Sequence, residues 1–211
     1  MTFHEWLLMQ SSPIRTDIFK NNFVQGIGSG NLSQRARDYY VAQDHHYVGI
    51  FAALFDQTAA QLPAELLTTM PVSNDDQDTE STAHLALAPS DDYQKIMPGE
   101  HNEHYLAHMR QAIAQGDSVG SMLALLPCTE SYYLIGKYLA ETSSRETGYY
   151  NWIAYYTADN YANFTKWSWN VVDQLVPDYG ILTDEQKENY LQIYLTSYQH
   201  ELDFWQVAYR A

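Results

Sequence analysis

Apolar residues along this chain recur with the helical spacing of three and four, and strict alternation is nearly absent. After "GSGNLS" the pattern predicts a helix capped by Ser33 and running to about Leu62. A second long helix is expected from Asp117 to about Ala140, with Pro127 inside it. "SSRE" at 143–146 has the form of a capping box and should open a third, ending before Pro177. "TDEQ" at 183–186 offers another box, for a last helix that reaches Tyr209. Shorter helices are expected over residues 4–10, 17–25, 63–69, 78–87 and 100–114. The stretch between Pro71 and Gly99 is acidic and poor in large apolar residues, and reads as a connection rather than a domain boundary. The expectation is an all-α bundle of several helices, a single domain over residues 1–211.

Some polar residues fall on the inward stripes. Tyr40, Tyr47, Phe51, Leu54 and Thr58 mark one face of the first long helix, and Asp44 lies on it. Tyr190, Tyr194, Ser197, Phe204 and Ala208 mark the inward face of the last helix, which also takes in Glu201. An ionised carboxylate buried without partners costs several kcal/mol, so each needs hydrogen bonds, a cation or a raised pKa. Structural carboxylates held by tyrosine hydroxyls, or the wall of a polar pocket, both satisfy that need.

Cys128 shares a stripe with Leu125, Tyr132, Ile135 and Leu139. It reads either as a small core hydrophobe or as a nucleophile. Pro127 either bends a continuous helix or starts a new one, and a new start would set unpaired N–H groups near the thiol. "HNEHYLAH" places His101, His104 and His108 close together, and His45 and His46 are adjacent. There is no HExxH, and no carboxylate–histidine pair repeats on further helices as a bundle di-metal centre requires. Solvated or hydrogen-bonded histidines fit better than metal ligands, and no metal or cofactor is expected.

Composition narrows the classes. The 211 residues include 26 Asp and Glu against 11 Lys and Arg, a formal charge of -15, with no basic cluster. Nucleic acid and anionic lipid are disfavoured as partners. "MTFHEWLLMQ" does not resemble a secretory signal, and there is no uninterrupted apolar stretch long enough for a transmembrane helix. One cysteine forms no internal disulfide, which fits the cytoplasm. Tyrosine, with 18 copies, suits both cores and slots for planar ligands.

"GNLSQRARDYYVAQDHHYVGIF", "EHYLAHM", "ALLPCTESYYLIG", "YYNWIAYY" and "SYQHELDFWQVAY" stand in the order of the TenA, or thiaminase II, family, and the resemblance spans nearly the whole chain. It implies a haem-oxygenase-like helical fold without haem, a homo-oligomer (usually a tetramer), and an aminopyrimidine aminohydrolase acting on a small-molecule substrate in thiamin salvage. By the same resemblance Cys128 matches the nucleophile and Glu201 the active-site glutamate. Asp44 and Tyr47 match the pyrimidine-pocket pair, Tyr105 the tyrosine near the thiol, Tyr132 and Tyr156 pocket aromatics, and Phe204 the phenylalanine after the glutamate. The alternative is a non-catalytic pyrimidine-binding or regulatory protein on the same fold. The chain departs from the family pattern at "TES" after Cys128 and "TAD" after Tyr156, while Glu80 and His84 keep a Glu-x-x-x-His spacing seen in relatives.

Overall fold

The computed structural model describes residues 1–71, 83–84, 87–88 and 91–211. The expected helix over 78–87, and Glu80 with it, lie outside the described residues apart from Ala83, His84 and Leu87. Among the described residues there is no strand. The α-helices are α1 (Phe3–Lys20), α2 (Asn22–Ser29), α3 (Gln34–Ala59), α4 (Ala64–Leu67), α5 (Glu100–Ala114), α6 (Ser118–Thr142), α7 (Tyr150–Tyr156), α8 (Asp159–Leu175) and α9 (Asp184–Arg210). Short 3₁₀ turns cover Asp91–Lys95 and Tyr179–Ile181.

Local chemistry explains most boundaries. The Ser33 hydroxyl accepts from the Ala36 N–H at 3.1 Å and starts α3. Thr183 and Gln186 form a reciprocal capping box for α9, as the TDEQ pattern predicts. Asp117 caps α6 through the N–H groups of Val119 and Gly120. Gly30 ends α2 with φ of 70°, a left-handed conformation that glycine adopts without penalty.

Two expectations are corrected. The segments 4–10 and 17–25 are not separate short helices: α1 runs unbroken through Ser11, Ser12 and Pro13 to Lys20, and the expected 17–25 helix is divided at Asn21 between α1 and α2. The Arg15 guanidinium donates to the Leu8 carbonyl at 2.5 Å, supplying a donor in the turn that Pro13 weakens. The helix predicted to open at "SSRE" does not form there. Ser144 accepts from the Glu146 N–H, but residues 143–149 stay in turns, and Thr147 instead bonds the Ile27 carbonyl across the fold at 3.3 Å. The region to Pro177 is two helices, α7 and α8, parted by Thr157 and Ala158.

Helices α6 and α9 pack against each other most extensively, and α1, α3, α5, α7 and α8 surround that pair. Helix α6 buries residues on nearly every side, from Val119 and Gly120 to Leu139, as a central helix must. It passes through Pro127 without ending, so Cys128 lies in mid-helix and not at a helix start. Where α7 crosses α6, Gly136 leaves room for Tyr156, since a Cβ there would stand 3.1 Å from the Tyr156 Cβ. The main apolar core gathers residues of α1, α2, α3, α6, α7, α8 and α9, including the fully buried Trp152 and Trp205. A smaller cluster of Tyr47, Leu54, Tyr105, Leu106, Met109, Ile113 and Leu125 lies beside Cys128. No described helix is long and apolar enough to cross a membrane.

Candidate active site

Four helices direct polar side chains into one interior region: α3 with Asp44 and Tyr47, α5 with Tyr105, α6 with Cys128, Ser131 and Tyr132, and α9 with Glu201 and Phe204. Cys128 is half-buried. The other seven residues are buried. The Tyr105 and Tyr156 side chains, whose faces the helical pattern leaves open, both turn inward.

The Asp44 carboxylate is held from two sides. The Tyr132 hydroxyl donates to Oδ1 at 3.3 Å, and His84 Nδ1 lies 2.9 Å from Oδ2. The other ring nitrogen of His84 is 2.8 Å from the Tyr156 hydroxyl, so one imidazole links Asp44 to α7. Behind this, Trp152 Nε1 donates to the Tyr40 hydroxyl at 3.2 Å, and Tyr40 to Tyr132 at 3.4 Å. The Tyr132 and Tyr156 rings lie 4.8 Å apart between centroids, with Trp205 5.0 Å from Tyr132. An aromatic wall thus carries a fixed carboxylate.

Glu201 forms the second polar point. The Ser131 hydroxyl donates to its Oε2 at 2.8 Å, and Tyr105 stands beside it. Burial pushes the carboxyl up to about 8; the Ser131 and Tyr105 hydroxyls pull it down, while the charge of Asp44 raises it further. At neutral pH this side chain therefore carries a proton. The Tyr105 hydroxyl is buried yet makes no well-formed hydrogen bond among the described residues, although Glu201 and Tyr47 face it. Burial raises the Tyr47, Tyr105 and Tyr132 phenols well above their ordinary range, so all three stay neutral donors.

Cys128 completes the set. Its thiol lies within hydrogen-bonding reach of the Tyr47 hydroxyl, and Tyr47 packs on Tyr105 at 5.5 Å and on Phe204 at 6.4 Å. The path Cys128, Tyr47, Tyr105, Glu201 then joins the path Asp44, Tyr132, Tyr156 through Phe204, whose ring packs on Tyr47 at 6.4 Å and on Tyr40 at 5.9 Å, with Tyr40 bonded to Tyr132. All eight residues singled out in the sequence meet in this one contact network.

The histidines of α5 stay near His200 of α9, with the His108 ring 5.5 Å from it. His108 bonds the Ser197 hydroxyl at 3.0 Å and the Ile193 carbonyl at 3.2 Å; His46 pairs with Glu103. Among the described residues no group of three His, Cys, Asp or Glu side chains is disposed to hold a metal ion.

A profile of the TENA/THI-4/PQQC family matches residues 78–211. The chain belongs to this family. The aminopyrimidine aminohydrolase of Halalkalibacterium halodurans is 28% identical over 225 residues, which cover 99% of this chain and 96% of that protein. That of Bacillus subtilis is also 28% identical, over 200 residues, covering 91% and 83%. In three dimensions the chain superposes on a TenA family transcription regulator from Silicibacter sp. TM1040 with a TM-score of 0.83 at 21% identity, covering 100% of this chain and 97% of that one. The fold is the all-helical, haem-oxygenase-like one, as the resemblance implies.

Seen in the family fold, the departure "TES" divides into three roles. The Thr129 hydroxyl bonds the Leu126 carbonyl within α6. Glu130 points away from Cys128 into the packing of α6 with α8 and α9. There it accepts from Trp169 Nε1 at 3.0 Å, the Tyr194 hydroxyl at 2.5 Å and the Tyr198 hydroxyl at 2.6 Å. Ser131 turns back to Glu201. Sequence reasoning assigned neither Glu130 nor Ser131 a role, and it gave His84 only a spacing. For Glu130 a signal existed: an acid in the middle of a helix that is apolar all round must be buried and must find donors.

Proposed function

We propose that this chain is an aminopyrimidine aminohydrolase of the thiaminase II type, replacing the amino group on the exocyclic methylene of 4-amino-5-aminomethyl-2-methylpyrimidine with hydroxyl, in thiamin salvage. The reading is carried by one observation: a thiol, a buried carboxyl held by Ser131 and a second carboxyl held by Tyr132 and His84 stand within a single aromatic-walled contact network. The names of its relatives support the same substrate class.

Each residue has a part that its surroundings suit. Asp44, oriented by Tyr132 and His84, accepts from the amino edge of the ring and fixes its position. Tyr47, Tyr132, Tyr156 and Phe204 supply faces against which the flat ring packs. Glu201, protonated at neutral pH, donates to a ring nitrogen and makes the ring electrophilic. The Cys128 thiolate adds to the ring carbon next to the one bearing the methylene. The electron pair so released expels the leaving amine, which departs with a proton as ammonia, and leaves an exocyclic methylene. Water adds there, the ring regains aromaticity, and the carbon–sulfur bond breaks to return the thiolate. The sum is one water consumed and one ammonia released, with no metal or redox cofactor in any step.

Incubation of the protein with the aminomethylpyrimidine, with ammonia and hydroxymethylpyrimidine measured together, tests this reading. Equal amounts of both products are expected. Tight pyrimidine binding without either product would favour the non-catalytic binder instead. Running thiamin in parallel tests whether the thiazolium also serves as leaving group. The family resemblance extends the reading to a homotetramer in the cytoplasm, which sedimentation and cell fractionation check.

A further inference from the structure

Ser131 is not needed as a nucleophile, acid or base in the reaction above, yet it makes the short hydrogen bond to its acid. It stands three residues beyond Cys128 on α6, so the two side chains rise from adjacent turns of one face. Its Oγ is 2.8 Å from Glu201 Oε2 and 3.4 Å from the Cys128 carbonyl oxygen. Ser131 and Glu201 are each only 2% exposed, so neither has water as a ready substitute.

We propose that Ser131 is a positioning residue for Glu201: its hydroxyl clamps Oε2, directs the remainder of the carboxyl toward Tyr105 and the pyrimidine, and sets the pH range over which that acid keeps its proton. The inference rests on the reading of Glu201 as the ring acid.

A serine hydroxyl has one proton and two lone pairs, and so serves both states of its partner. While Glu201 is ionised, Ser131 donates to it. While Glu201 is protonated, the proton sits on Oε1, the oxygen directed at the pyrimidine, and Ser131 still donates to Oε2, more weakly than to the carboxylate. An apolar side chain at this position leaves a buried carboxyl oxygen bare in the ionised state, which favours protonation further. The other titratable groups facing Glu201 are Asp44 and Tyr47 from α3, Tyr105 from α5, and Cys128 and Tyr132 from α6, with His200 and Asp203 nearby on its own helix. Asp44 pushes toward the protonated state, and Tyr105 faces the carboxyl without a well-formed bond. Ser131 is therefore the group that fixes the carboxyl's orientation, and the hydrogen bond it donates opposes the effect of burial.

The test compares the full-length wild-type chain with Ser131→Ala and Ser131→Thr. Glu201 is titrated by its carboxyl stretch in difference infrared spectra, with Glu201→Gln as the blank. This readout does not depend on turnover. Ser131→Ala should move the midpoint upward by about one pH unit, the size expected for loss of a charge-assisted hydrogen bond, and Ser131→Thr should stay at the wild-type value. In aminomethylpyrimidine hydrolysis the high-pH limb should move with it, with kcat down about tenfold and KM within about twofold. An unmoved infrared midpoint in Ser131→Ala, an equal shift in both variants, or a hydrolysis limb that ignores the infrared shift overturns the proposal. A wild-type chain that hydrolyses no aminopyrimidine would instead sink the functional reading, and an intact infrared shift would tell the two failures apart.

Discussion

Replacing Glu201 with Gln should make the protein more tolerant of rising pH. The carboxyl's ordinary value is 4.5, and burial moves it in the folded chain to about 8. Below pH 4.5 the group is protonated whether the chain is folded or not, and it adds no pH dependence. Between 4.5 and 8 the folded chain keeps a proton that the unfolded chain has released, so stability falls as pH rises, by about 1.4 kcal/mol per unit for one proton. Across the window the loss is on the order of 5 kcal/mol, a large share of the stability of a typical domain. Above pH 8 both states are ionised and the loss stops growing. Gln has nearly the same shape and does not titrate, so the variant escapes this loss, while other titrating groups largely cancel between the two proteins. Urea denaturation of both at pH 5, 6, 7, 8 and 9 gives the difference directly. The variant's advantage should widen by about 1.4 kcal/mol per pH unit and level off above pH 8. A gap that stays constant over this range would mean that Glu201 is ionised in the folded protein, and the assignment of Glu201 as a ring acid would fall with it.

Glu130→Gln should lower stability by about 2–4 kcal/mol, because one amide cannot accept from Trp169 on one atom and from Tyr194 and Tyr198 on the other. Thermal denaturation checks this, and an unchanged midpoint would mean that the cluster is not tightly satisfied. Asp44→Asn should weaken hydroxymethylpyrimidine binding by about 10–100-fold, through a disturbed grip on the ring's amino edge and on His84. Titration calorimetry measures it, and unchanged affinity would remove Asp44 from the ring contact.

How much of this was readable beforehand follows from how far apart the interacting residues lie. Ser33 and the Thr183–Gln186 box are local, each closing over three residues, so α3 and α9 start where the pattern places them. "SSRE" has equally good local form, but Thr147 reaches Ile27, 120 residues away, and the chain stays in turns until α7. Ser12 and Pro13 look like a break, and only the Arg15 contact and the packing of α1 on α9 show why the helix continues. Within the site, helical periodicity turns Asp44, Cys128 and Glu201 inward, since each lies on a stripe of large apolar neighbours. The partners that define their chemistry are not periodic. Ser131 meets Glu201 across 70 residues, and Glu130 finds its donors 39, 64 and 68 residues away. The geometry at Pro127, open in the sequence, resolves to an unbroken helix, so no helix N-terminus activates the thiol. The side chains around the thiol come from other helices, among them Tyr47 of α3.

The central claim is that the Cys128 thiolate attacks the ring. Cys128→Ala removes one sulfur at a half-buried position and leaves Asp44, Glu201 and the aromatic walls in place. Turnover of the aminomethylpyrimidine by this variant at neutral pH, with hydroxymethylpyrimidine affinity measured on the same preparation, is the most direct test. The account predicts a loss of at least about a thousandfold in kcat with binding changed by less than about threefold. A variant that binds the pyrimidine and still releases ammonia at the wild-type rate would contradict it.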